Sequence, residues 1–175
     1  NLKIFHIVFT KLGKVYRNKY VTVISNYEMM IDVACIAIQE ENKWILEEMQ
    51  TYPKIYCNFA LIGTENFAFP IAINSRKFHV SQERNDIHEG IEENKIILEE
   101  ALNLYKSLIE AWITVSPKCL FNLCIINDDI TRSEYLCNYE NKVKCIYKHA
   151  KIVTVIDKSG NTMLSSLYEG EKKNL

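Results

Sequence analysis

The chain has few glycines, no basic surplus and no long apolar run, and each lack removes a class of function. Its five glycines, Gly13, Gly63, Gly90, Gly160 and Gly170, lie far apart. Phosphate-cradling loops and dinucleotide turns need clustered glycines so that backbone can approach phosphate, so both are excluded. The longest apolar region, residues 55–75, is interrupted by Asn58, Gly63, Glu65, Asn66 and Pro70, and no membrane span is expected. With 21 Lys and Arg against 22 Asp and Glu, the formal charge is −1. General nucleic-acid binding, which draws on a basic surplus or stripe, is therefore not expected. Lys142, Lys144, Lys148 and Lys151 do cluster, but Glu134, Glu140 and Asp157 surround them, and they read as a solvated strand face. No Gly-x-Ser-x-Gly elbow is present, and no cysteine has a context that marks a nucleophile.

What is there is ordinary globular composition. Apolar residues make up 48% and charged residues 25% of 175 residues, the size of one domain. We expect a single α+β domain over 1–175, with 118–175 either its last part or a β-rich appendage. Of six cysteines, Cys35, Cys57 and Cys124 sit in apolar runs where a free thiol packs as a small hydrophobe. No Asn-x-Ser/Thr acceptor occurs. Both features favour reduced thiols and a cytoplasmic setting; a secreted, disulfide-stapled protein stays open as an alternative. The chain opens on Asn1, read as a processed or trimmed start, so a removed targeting segment stays open too. The wealth of Ile, Asn, Lys and Tyr is that of an AT-rich coding genome, which bears on source and not on function.

The clearest element spans Asp86–Val115. Glu92, Glu99, Asn103, Lys106 and Glu110 recur at helical spacing, and most of the rest from Ile96 onward is apolar. So narrow a polar stripe predicts a helix enclosed on most of its circumference. Ile97, Ala101, Leu102, Tyr105, Leu108 and Trp112 should be core, with Glu92, Glu99, Asn103 and Glu110 exposed. Asp86 and Glu89 resemble a cap pair, Gly90 marks a kink or a later start, and Ser116-Pro117 ends the helix.

Elsewhere the pattern is mixed. Residues 2–10 are apolar on both parities, as in a strand buried on both sides. Residues 15–25 read as its hairpin partner across a turn at 11–14. Ser25 and Glu28 have the form of a capping box, predicting a helix from there to about Thr51, stopped by Tyr52-Pro53. Residues 54–63, 66–73 and 76–81 read as strands, the second an edge strand because of Pro70. So do 119–126, 142–148, 150–157 and 162–168, with a turn at Lys158–Asn161. The segment 127–132 is expected to be a mobile loop, and the tail 170–175 frayed. The predicted order is ββ-α-ββ(β)-α-ββββ, a mostly antiparallel sheet with two principal helices packed on it. The front two-thirds is similar in element order to longin-type trafficking domains, a likeness of order that no residue motif carries.

Four constellations bear on chemistry. His79-Val80-Ser81 has the His-x-Ser form of two-histidine phosphoesterases, but His6-Ile7-Val8 and His149-Ala150-Lys151 supply no second copy. Arg84, Asp86 and His88 lie close behind it, at a helix start that favours anions. Any enzymatic chemistry is expected there, as a small hydrolase or phosphoesterase. Cys119, Cys124, Cys137, Cys145 and His149 are zinc-preferred types without zinc spacing, and only Cys137, Cys145 and His149 stay as weak metal candidates. Asp32 is an acid in an apolar run, to be explained by a capping role, an ion pair or catalysis. Tyr135, Tyr139, Tyr147 and Tyr168 form either a recognition surface or a sheet cover. No cofactor is expected. The favoured function is a non-enzymatic protein–protein interaction domain, a subunit or accessory factor of a larger assembly.

Overall fold

The computed structural model describes residues 2–11, 14–127, 130–156, 159 and 162–167, with backbone alone for 7–11, 14–17 and 162. Strands β1 (Lys3–Lys11) and β2 (Lys14–Asn26) form the expected antiparallel hairpin. β1 is the edge of the sheet rather than a strand buried on both sides. Its Ile4 and Phe5 are 44% and 52% exposed.

The segment predicted to be the first helix is a second hairpin, β3 (Ile31–Glu40) and β4 (Lys43–Leu46). A run apolar on all sides does not distinguish helix from two-sided strand. Here Ile31, Val33, Ile36 and Ile38, all β-branched, favour the strand. The apparent capping box is part of a turn. The Asn26 side chain accepts a bond from the Met29 amide at 3.1 Å, and Ser25 pairs with Asp32 across β2 and β3. Glu41 and Asn42 turn the hairpin with φ of 45° and 64°, the left-handed pair that suits strand twist. This hairpin also removes the longin-like element order.

Of the three strands predicted between 54 and 81, β5 (Ile55–Tyr56) and β6 (Ala72–Ser75) remain, with β6 interior to the sheet. The rest is irregular and organised by Thr64. Its hydroxyl accepts from the amides of Lys54 and Ile55 and donates to the Leu61 carbonyl. The sheet order is β1-β2-β3-β6-β5, with β4 on the far end of β3; only β5 and β6 pair in parallel.

Helix α1 (Glu92–Val115) begins after Gly90 and ends at Ser116 in the left-handed conformation. The six expected core residues on it are buried and the four expected polar ones exposed. It packs over β2 and β3. The strands predicted at 119–126 and 142–148 are a 3-10 turn (Leu120–Cys124) and helix α2 (Glu134–His149). Ser133 caps α2 by accepting from the Leu136 amide, and Lys148 and His149 sit in its last turn, where cations suit the helix dipole. Its lysines serve surface pairs, Lys144 with Glu140 at 2.6 Å and Lys142 with Glu99. Strands β7 (Val153–Ile156) and β8 (Thr162–Ser165) form a separate hairpin. Lys158, Gly160, Asn161 and the tail lie outside the described residues. Within 127–132, Arg132 is tied down, bonding Glu140 at 2.8 Å and the carbonyls of Asn66 and Asn127.

The fold is α+β, with a mostly antiparallel sheet and two helices, as expected; the observed order is ββββββ-α-α-ββ. Leu120, Leu123, Tyr139, Val143 and Ile152 share one core with α1 and the sheet. No helix among the described residues is long and apolar enough to cross a membrane.

Candidate binding site on the open face of the sheet

Strand alternation divides the sheet cleanly. Ile24, Ile31, Val33, Cys35, Ala37 and Ile73 face the helices and are buried. The opposite parity carries Val21, Val23, Ala34, Ile36 and Ala72, and among the described residues no helix covers it. Residues 47–53 wall this outer face with Met49 and Tyr52, joined by Tyr56 from β5. Between wall and sheet lies a trough of about 290 Å³. At one end the Tyr52 hydroxyl reaches Glu47, itself paired with Lys19 at 2.6 Å.

At the other end the trough meets a polar pit of about 260 Å³ lined by Asn26, Tyr27, Met30, Asn58 and Arg76. Asp32 and Asn74 line both cavities, and the Asn74 side-chain amide donates to Asp32 Oδ2 at 3.0 Å. Asp32 is therefore not a helix cap: it stands half-buried on β3. It is the one carboxylate at the junction of an apolar trough and a polar pit. Arg76 donates from Nε to Met30 Sδ across the pit. Met30 and Asn58, both at φ 61°, adopt the left-handed conformation there, the kind of backbone strain that collects at ligand clamps.

The wall hangs on Lys54. This lysine is 2% exposed, and its ammonium donates to the carbonyls of Met49 and Tyr52. Burial pulls its pKa down from 10.5 to about 8, an effect that Glu65 and Glu48 oppose.

The His79 cluster occupies a small hairpin on the way to α1. Val80 bridges Ile87, the His88 amide donates to the His79 carbonyl, and Ser81 pairs with Asp86 through backbone. Asn94, fully buried in the first turn of α1, bonds the His79 amide and the carbonyls of His79 and His88. The side chains go separate ways. His79 faces Glu93 at 3.7 Å, Ser81 Oγ bonds Asn85, Asp86 accepts from the Ile87 amide, and Arg84 lies over the Phe59 ring at 5.2 Å. His88 is exposed. Among the described residues no hydrogen bond joins the Ser81 hydroxyl to the His79 imidazole. The cap-like pair Asp86 and Glu89 stands outside α1; Asn94, off the polar stripe, is what secures this junction.

On α2, Cys145 Sγ lies 4.0 Å from His149 Nδ1, while Cys137 Sγ faces the Arg132 carbonyl. Among the described residues no group of three His, Cys, Asp or Glu converges as a metal site. All six cysteines are unpaired. Burial pushes the thiols of Cys35 and Cys124 up, to about 11 and about 12, which suppresses the thiolate. Tyr139 belongs to the core, its hydroxyl bonding the Leu98 carbonyl, and Tyr168 lies outside the described residues. No protein-family model, no curated protein and no solved structure matches this chain.

Proposed function

We propose that this chain is a non-enzymatic interaction domain, a cytoplasmic subunit or accessory factor of a larger assembly, and that its partner covers the outer face of the sheet. One observation carries the reading: the central strands are apolar on both parities, yet helices close only one side. An antiparallel sheet with one wet face ordinarily alternates apolar with polar residues. Here the uncovered side holds Val21, Val23 and Ala34, with Phe5 half-exposed at its edge. Exposed apolar area in one contiguous place marks contact surfaces. The cytoplasmic setting rests on six unpaired thiols, two of them buried.

The test is site-specific photocrosslinking in the source cells. A crosslinker at Phe5 or Val23 should yield a discrete protein adduct. One at Glu110, on the wet stripe of α1, should not. Equal or absent labelling at all three positions, together with a monomer-sized species in native lysate, overturns the proposal.

A further inference from the structure

The geometry points to a second, smaller occupant: we propose that pit and trough together bind a free α-amino acid with an apolar side chain. Three groups follow one another along the outer face of β3, β6 and the residue just past the end of β6. The Arg76 guanidinium stands beside Met30, the Asp32 carboxylate sits against Asn74, and Ala34 and Ala72 open the apolar trough towards Ile36. An α-amino acid offers the complements on adjoining atoms: a carboxylate for Arg76, an ammonium for Asp32, and a side chain for the trough. Same-face neighbours on a strand stand roughly 7 Å apart, a gap that a flexible arginine spans by folding over its ligand.

Size and charge select this class over the alternatives. The two neighbouring cavities of about 290 and 260 Å³, which share Asp32 and Asn74, each fall just under the usual range of small-molecule sites, as suits a ligand no larger than an amino acid. A simple amine would leave Arg76 unmatched, and a simple carboxylate would meet Asp32 as a like charge. The Asn58 side chain and the Asn74 side-chain carbonyl add polar atoms around the pit, while Asn26 is held by the Met29 amide and Glu100 and the Asn74 amide nitrogen by Asp32. The trough shares Val21, Val23 and Ala34 with the proposed protein contact, so binding is read on the isolated chain, where no partner is present.

The test uses the isolated full chain, with L-phenylalanine and L-leucine as probes and 2-phenylethylamine and 3-phenylpropanoate as single-charge controls. Binding is read from the methyl resonances of Ala34 and Ala72 and the side-chain amide of Asn74. At least one amino acid should shift all three at sub-millimolar concentration and bind at least tenfold tighter than its controls. Asp32→Asn should abolish the preference over the carboxylate control, and Arg76→Gln the preference over the amine. Both positions are solvent-accessible, and retained α1 helicity verifies folding. Absence of shifts with both amino acids, a control that binds as tightly, or preferences unchanged in the variants each overturn the assignment. Crosslinking at Phe5 is unaffected by any of these outcomes, so the two proposals fail separately.

Discussion

The two faces of this sheet are built from the same strands but closed by different means. On the helix side, Ile31, Val33 and Cys35 meet Leu108 and Trp112, none more than 1% exposed, in a layer completed by one long helix. On the outer side, Ile36 and Ala72 have only a loop wall of Met49 and Tyr52 above them, suspended from a buried lysine. Helix packing supplies a continuous apolar surface with its own backbone bonds satisfied. A loop must satisfy its carbonyls from elsewhere, and Lys54 does this with a charge that is costly to bury. The contrast separates a face finished for stability from one left accessible.

The comparison breaks most sharply at α1. Leu108→Ala should destabilise the protein by roughly 2–5 kcal/mol in denaturant titration, because it opens a void in an enclosed layer. A loss under about 0.5 kcal/mol would place Leu108 outside the core. On the outer face Ile36→Ala should cost less, about 2 kcal/mol at the low end of that range, since the trough beside it is open to solvent and the deletion encloses no new void. Losses equal at both positions would mean that the faces are closed alike.

A smaller effect sharpens the role of the wall. The Lys54 pKa is lowered on folding, from 10.5 to about 8. Between these values the unfolded chain binds the extra proton, so the Lys54 contribution to stability rises with pH through that window. It amounts to about 1 kcal/mol between roughly pH 8 and 9. Buried thiols and tyrosines act oppositely at higher pH, so the measured quantity is the wild-type slope minus that of Lys54→Met. A difference of zero would detach Lys54 from the wall. Smallest of all, Phe5→Ser should change stability by no more than about 0.5 kcal/mol while abolishing adduct formation from Val23. A large loss of stability there would make Phe5 a structural residue and remove it from the contact surface.

Much of α1 was legible in advance because its polar stripe and its solvent-exposed line are the same residues. The region 29–51 was not. Its apolar residues satisfy a helix and a doubly buried strand equally, and the charges after Glu40 fit an emerging helix as well as a hairpin turn and a loop. Val143 and Tyr147 look strand-like by composition, yet the buried faces of α2 follow Tyr139 and Val143, four residues apart. At the candidate site, Asp32 announced itself as an acid among hydrophobes. Its meeting with Asn74 and Arg76 joins positions more than forty residues apart, which no local pattern encodes.

The sequence by itself determined the class of fold, the burial of α1 and the absence of clustered glycines, since each depends on spacing along a few turns of chain. Tertiary structure alone decided that residues 31–46 are strands and that both helices fall on one side of the sheet. Those outcomes depend on which distant surfaces are available to bury an apolar run. The open face around Asp32 is what that choice of sides leaves behind.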